Sequence, residues 1–562
     1  MAALPGRLRG VCAGTHGPEP DGGDGRADDH AGQHRETYRQ QDHAACMECR
    51  LMRSVRVLIA GAGPCGLGAA LELLDAEPGG TADFLLVDPG STPGGWAQSR
   101  TTAQGFTFDF GGHVLFPHKH YARFAELLRG LPLEWASSVP ERGVDVDGCF
   151  LPYPAQRNLH RLPLHRLVRA IASVLLHRFR TRGTGGAQAE EQAHVRGAAD
   201  GNMGRYLQTR FGHYVTKLLM QPLNQKQWAH QPAQLTDVWA RHRSGSTVRN
   251  VADMDMGRML RNLLAGTDDL GWTPETKVTY PAKGGSGAIW SAIARAIPDE
   301  NIQLGTHIVS ISLEDKTALL STGETVQWEQ LISTMPLDML LRSIPERKEF
   351  RAKADQLVKA RSRLFGFGVR GSMPHAYAGL HSCQVTSAEM PFWRVNFPMT
   401  VAEGNGPEGC YSVLCEVSEP GSVPARSAEA LRAEVQQSLV RMGLLGKANT
   451  EVISTWEYTI EHGYPVPFLG RDTLLSEVQP LLESAGVYSR GRFGAWRYEI
   501  SNQDHAYMQG VEVVRRILYR IPEETYGNAG AVNEAVAEQK VMKNFATAVR
   551  ESVKSPVRVS AG

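Results

Sequence analysis

The amino-acid sequence predicts an α/β fold, and three observations predict it. "VRVLIAGAGPCGLGAALELLDA", from Val55, sets out a buried apolar strand, a glycine turn and an Ala/Leu-rich helix in succession. Helical periodicity then holds from 158 to 270, and short alternating strands return after 271. With 562 residues and 42% hydrophobic content the chain can bury two or three separate cores.

The bulk charge excludes some partners. Lys+Arg 60 against Asp+Glu 59 leaves a net charge of +1, so no whole-chain field attracts nucleic acid, and any anion site must be local. Eight cysteines (Cys12, Cys46, Cys49, Cys65, Cys149, Cys383, Cys410, Cys415) follow no framework spacing, which suits a reducing, cytoplasmic setting. No stretch approaches ~18 uninterrupted apolar residues, so no membrane insertion is expected. Residues 1–53 read as a disordered arm. His43 and the Cys46/Cys49 pair fall short of the four ligands of a structural zinc site, so no metal is expected. Met52 directly precedes the first strand; a start there predicts that removing residues 1–51 leaves folding and activity unchanged.

Each element follows in order. Gly61, Gly63 and Gly66 fit G-x-G-x-x-G between strand and helix, giving a tight turn, a close approach to pyrophosphate and close helix–strand packing. "DFLLVD" ends in Asp88, placed to take a ribose hydroxyl, which makes the unit a dinucleotide signal. "STPGGWAQS" (Gly94, Gly95) and "FDFGGHVLF" (Gly111, Gly112) add two glycine pairs, where bare backbone can lie against a large planar or phosphate-bearing group; together they point to FAD. "LHRLVRAIASVLLHRFR" (164–180), "GRYLQTRFGHYVTKLLMQPLN" and "DMGRMLRNLL" read as helices, the first with a basic face expected to be solvated, and 181–202 as a mobile loop. "GVYSRGRFGAWRYEISNQDHAYMQGVEVVRRILYRI" is a strand and loop running into a helix capped by Asn502 or Asp504.

Nine motifs in order, GAGPCGLGAA, GGWAQS, FDFGGHVLF, LPYPAQRN, PLNQKQWA, YPAKGGSGAIW, FGFGVRG, EHGYPVP and GRFGAWRYEISNQDH, resemble UDP-galactopyranose mutase, especially its longer eukaryotic type, over about 54–520. The resemblance implies a discontinuous Rossmann-like FAD-binding domain (54–130, 271–340 and 455–522), an inserted helical substrate domain (155–270) and an antiparallel β-sheet domain (131–154 and 341–454), with a peripheral tail from 523 to 562. It implies interconversion of UDP-galactopyranose and UDP-galactofuranose by nucleophilic attack of reduced flavin N5 on the anomeric carbon, without net redox. Relatives of this type use NADPH as reductant; no second nicotinamide fingerprint places it in this chain. No oligomeric state is assigned.

Residue by residue, the resemblance gives the cofactor Gly61, Gly63, Pro64, Cys65 and Gly66 of the first turn, Asp88, then Gly95 and Trp96, Gly111 and Gly112, and Val309. It adds Arg492 and Ser501-Asn502-Gln503 for the flavin's electron-rich edge. His113 resembles the loop histidine beside the isoalloxazine. A departing diphosphate needs at least two fixed cations, arginine preferred, and Arg243 and Arg370 are the expected pair, with Tyr464 and Tyr498 as phenol donors. Phe116, Tyr153, Gln156, Asn224 and Trp228 complete the nucleotide-sugar site.

Three departures fall on the substrate side. Ala155 stands where the family carries a stacking ring, a loss worth about 1–3 kcal/mol. Leu223 replaces a tyrosine, and Ser382-Cys383-Gln384 replace an aromatic stretch by equal spacing. The natural substrate is therefore expected to be UDP-galactose or a related nucleotide sugar. Two alternatives stay open: a net-redox flavoenzyme of the amine oxidase or desaturase type, and a flavin-binding relative without catalysis.

Overall fold

In a computed structural model of the chain, the described residues are 52–77, 82–113, 115, 121–182, 201–243, 256–270 and 277–537. Residues 1–51 of the expected arm 1–53, nearly all of the 181–202 loop, and Phe116 lie outside them, as does the chain beyond 537; Met52 and Arg53, expected in the arm, belong to the first strand.

The first sheet is built from three distant parts of the chain. It orders as β10 (Ile308–Ser312), β11 (Thr317–Leu320), β12 (Thr325–Ser333), β1 (Met52–Ala60), β2 (Phe84–Asp88) and β9 (Ile302–Leu304), with β18 (Val487–Ser489) also on β12. β1/β2, β2/β9 and β12/β18 run parallel, whereas β10–β12 form an antiparallel meander. The unbroken "VLIA" end of β1 is buried on both faces, as central parallel strands are.

Helices α1 (Pro64–Ala76) and α7 (Gln503–Tyr519) cross on this sheet with backbones in contact. A Cβ on Gly510 would stand 1.9 Å from the Cys65 carbonyl oxygen, and one on Gly68 2.4 Å from that of Tyr507. An exposed helical Gly→Ala change gains about 1 kcal/mol. Gly510→Ala is expected instead to lose about 1–3 kcal/mol by overpacking, read as a fall in apparent unfolding temperature; a rise would show that the helices are not locked at this point.

The second sheet orders as β17 (Glu451–Pro465), β13 (Lys359–Arg370), β16 (Cys410–Pro420), β15 (Arg394–Asn396), β14 (Ser382–Val385), β6 (Arg142–Val146) and β7 (Cys149–Pro152), antiparallel except for β14/β6. β17 runs across the expected boundary at 455, so 455–465 belong to this sheet. β5 (Trp135–Ser138) leaves it to pair with β8 (Val278–Pro281), and β3 (Ser99–Thr101) and β4 (Thr107–Asp109) form a small hairpin.

Helices α2 (Leu164–Arg182), α3 (Met203–Val215), α4 (Gln221–Trp228), α5 (Val238–Arg243) and α6 (Met256–Ala265) supply the inserted part. Their apolar faces share one core with Tyr464 of β17 and Tyr498 of the C-terminal segment, so the helices and the long sheet meet there. The tail is not peripheral at its start. Glu523 is buried and takes the Arg490 and Arg516 guanidiniums, because a buried arginine requires a paired carboxylate, and Asn533 donates to the Glu499 carbonyl.

Candidate active site

The glycine turn is shaped for a phosphate-bearing ligand. Gly61 has φ +114°, a region that favours glycine, and its amide donates to the Val87 carbonyl. A Cβ on Gly66 would lie 1.8 Å from the Gly61 carbonyl oxygen, so only glycine lets helix and turn approach. Pro64 opens α1, where its missing N–H costs nothing, and no acid occupies the helix's first turn. A Cβ on Gly63 would meet only the Gly95 Cα, at 3.8 Å. The two glycine segments therefore face each other across bare backbone. Asp88 accepts from the Ala62 and Gly90 amides, both at 2.7 Å; burial raises its pKa and these two amides oppose the rise.

The other cofactor residues divide by surroundings. Cys65 is buried against Gly491 and burial pushes its thiol up, which makes it a packing residue of the turn. Trp96 stays partly exposed, 6.4 Å from the Phe110 ring. Arg492 donates to Ser501 Oγ at 3.0 Å and to its carbonyl at 3.3 Å, just before the N-terminus of α7, where Gln503 Oε1 accepts from Trp290 Nε1 at 2.7 Å. Asn502 is the N-cap. A guanidinium and a helix N-terminus side by side suit the electron-rich edge of a flavin. These residues fit FAD.

His113 lies beside them. Its Nδ1 is 3.4 Å from Ser286 Oγ, and Ser286 Oγ donates its own proton to the Ala97 carbonyl at 2.9 Å. Nδ1–H is therefore the donor in that contact, and Nε2 keeps a lone pair. Burial first, then Arg492 and Arg394, push the His113 pKa down to about 3, so the ring is neutral. At the base of the loop Asp109 accepts from Ser99 Oγ at 2.6 Å, from the Ser286 amide at 3.0 Å and from the Tyr280 hydroxyl; burial nevertheless raises its pKa to about 6.

A depressed histidine pKa has a definite sign. The unfolded chain binds the proton more readily, so the stability contributed by neutral His113 is complete above pH ~6.5 and is lost as pH falls toward ~3. Between pH 6.5 and 5 that loss is about 2 kcal/mol. Wild-type protein is expected to lose this much more than His113→Gln in denaturant unfolding at the two pH values; equal losses would refute it.

The electrostatic centre is a group of arginines around one buried carboxylate. Glu416 accepts from Arg394 (Nη2 to Oε1 2.7 Å, Nη2 to Oε2 2.9 Å, Nε to Oε1 3.1 Å), from Asn396 at 2.6 Å and from the Gly112 amide at 2.7 Å. Tyr464 OH reaches it at 3.5 Å. Arg394 also covers Trp393 at 4.4 Å, and Arg492 covers Tyr464 at 5.1 Å and Tyr498 at 5.7 Å. Trp228 meets Tyr498 and Tyr464 edge-on at 4.6 and 5.8 Å. Arg142, 6.0 Å over Tyr153, is near enough to Arg394 that burial and that second cation both lower its pKa. Three guanidiniums, those of Arg394, Arg492 and Arg142, gather around Glu416 and the two phenols, donors of the planar kind that suits a diphosphate.

Beside this centre opens a cleft of about 450 Å³, its mouth included, with walls so close that little more than one water fits between them. Tyr153, Gln156 and Asn224 line it, and so do Ala155, Leu223 and Gln384, three of the departing positions. Cys383, by strand alternation, turns away into the core of the long sheet. Gln227 joins the cleft to the centre by donating to Tyr498 OH at 3.2 Å. Lys226 fixes one wall: its Nζ donates to the Val385 and Ser387 carbonyls at 3.0 and 2.9 Å, and burial lowers its pKa to about 7 against the pull of Asp145 and Asp147.

One expected cation is misplaced. Arg370 is exposed and paired with Glu451. On β13 it stands ten residues beyond Ala360, the partner of Tyr464, which is about 33 Å along the strand. Arg394 instead shares Glu416 with Tyr464. The signal was the aromatic-flanked arginine of "FWRVNFP"; Glu416 had no comparable signal, because an acid inside an apolar strand reveals its partner only through register. Arg243 ends α5, and its side chain lies outside the described residues, as does Phe116. Val309 is an exposed residue of β10, three positions past Thr306, whose amide donates to the Asp88 carbonyl. Among the described residues no cluster of possible metal ligands occurs.

The family model of flavin-containing amine oxidoreductases matches residues 64–518. A crystal structure of reduced UDP-galactopyranose mutase is similar at 34% identity and a TM-score of 0.76, over 85% of this chain and 99% of that one. A redesigned putrescine oxidase (14% identity, TM-score 0.58, 83% of this chain and 99% of that one) shares the fold. So does cyclohexylamine oxidase from Brevibacterium oxydans (17%, 0.53, 85% and 99%). The chain belongs to the UDP-galactopyranose mutase-like family of flavin-containing amine oxidoreductases.

Proposed function

We propose that this protein is a flavin-dependent mutase that interconverts the pyranose and furanose forms of a nucleotide diphospho-sugar, UDP-galactose or a close relative, in the cytoplasm, with NADPH as reductant. The observation that carries the proposal is the convergence of Arg394 and Arg492 on Tyr464 and Tyr498, next to the His113 loop. An oxidase of amines or apolar molecules has no use for such a cationic box.

Bound in its reduced form, the flavin would supply a nucleophile for the anomeric carbon and a reversible bond to the sugar. The chain's own residues do the rest. Arg394, Arg492 and Arg142, with Arg243, hold the diphosphate and stabilise it as it departs. Burial, then the Glu416 charge, raise the Tyr464 pKa, so this phenol keeps its proton and donates to a phosphate oxygen. Trp228 and Trp393 close the surroundings of both phenols to water. Tyr153 and Gln156 receive the base. At Ala155, Leu223 and Gln384 the cleft lacks the family's rings, so the preferred base or sugar differs from that of the family.

Reduced holoenzyme incubated anaerobically with a panel of nucleotide diphospho-sugars should convert at least one to its ring isomer, seen by chromatography. No conversion of any member, together with oxygen consumption on an amine, would overturn the proposal. Clean conversion of UDP-galactopyranose at a rate no other member exceeds would refute only the altered preference.

A further inference from the structure

Helix α2 carries two apolar faces, and the fold uses one. Leu167, Ala170 and Val174 point into the helical core. Leu164, Val168, Leu175, Leu176 and Phe179 form a second stripe within one third of the helix circumference, about 23 Å long, which faces outward. Leu164 is 75% and Phe179 81% exposed, well beyond scattered surface leucines. Next to it, α6 buries Met259 in the same core and turns Leu260, Leu263 and Leu264 out, Leu264 at 80% exposure. Both helices rest on the Leu159–Arg161 turn.

The charge around this surface selects what covers it. Neither helix contains an Asp or Glu, while α2 carries Arg166 and Arg169, and α6 carries Arg258 and Arg261. Among the described residues the nearest carboxylates are engaged: Asp147 with Arg166, Asp268 with Arg161, Asp269 with Arg258 and Arg157. Arg169 and Arg261 stand exposed beside the leucines. A second copy meeting this face symmetrically would set arginine against arginine. Anionic lipid headgroups accept the arginines while the leucines and Phe179 enter the headgroup–acyl boundary. We propose that α2 and α6 seat this protein laterally on an anionic lipid surface. Among the described residues no helix is long and apolar enough to cross a membrane, so the attachment is interfacial and reversible. This inference is independent of the catalytic proposal.

Flotation of the full-length, flavin-loaded protein tests it. Vesicles of equal parts phosphatidylcholine and phosphatidylglycerol should carry the protein at low salt, and vesicles of phosphatidylcholine alone should not. Leu175→Glu/Phe179→Glu should reduce flotation at least about tenfold, and Arg169→Glu/Arg261→Glu should reduce it and weaken its salt dependence, both with flavin content unchanged. The milder Leu175→Ser serves if the double variant loses flavin. No flotation of wild type, equal flotation on both vesicles, or self-association abolished by the same substitutions without vesicle binding would overturn it, the last assigning the face to a second copy.

Discussion

Arg394→Ala is expected to lower kcat/KM about a hundredfold to a thousandfold, the cost of removing a fixed donor from a developing anion. Arg370→Ala is expected to stay within about twofold of wild type, since exposed ion pairs contribute little. The contrast follows from place. One arginine is half-buried against Glu416 and Trp393 and the other stands at the far end of β13. Arg394→Lys should recover only part of the activity, because an ammonium cannot reproduce the three fork contacts to the two Glu416 oxygens while still facing a phosphate. Steady-state kinetics of the three variants on the substrate found by the nucleotide-sugar panel decides it; a comparable loss in Arg370→Ala would sink the assignment of Arg394.

Glu416→Gln should destabilise the protein by about 3–5 kcal/mol, the usual effect of removing one partner from a buried ion pair. The carboxylate accepts from a guanidinium, an Asn amide and the Gly112 N–H, and a carboxamide turns one of its oxygens into a donor facing donors. The damage should reach beyond stability. Gly112 belongs to the His113 loop, so the variant is expected to bind flavin more weakly as well as to turn over more slowly. Thermal unfolding and flavin titration of the variant measure the two effects separately. Unchanged flavin affinity would confine Glu416 to holding Arg394.

What could be read from the sequence follows the range of the interactions. The strand, glycine turn, helix and Asp88 lie within one contiguous unit whose geometry is nearly self-determined, and the structure places them as expected. Arg492 and Ser501 come together for the same reason, since one short segment carries them. Arg394 and Glu416 were not legible in this way. Their pairing depends on which residues of β15 and β16 stand opposite, and register arises from the whole sheet. Arg370 was misread because β13 passes the site at one end and solvent at the other, a difference that spacing along the chain does not contain. The packed start of the tail was hidden likewise, since Glu523 is buried only because Arg490 and Arg516 converge on it.

The backbone contact between α1 and α7 bears on how the protein is made. The cradle begun at Gly61 is completed by β12, β18 and finally α7, some 450 residues later in the chain. During synthesis at ~5–20 residues per second, β1 and α1 wait tens of seconds for these partners with apolar faces uncovered. Cofactor capture therefore falls at the end of translation, and a nascent chain that stops short of α7 leaves a nucleotide fingerprint with nothing to bind and a central strand exposed to misassembly.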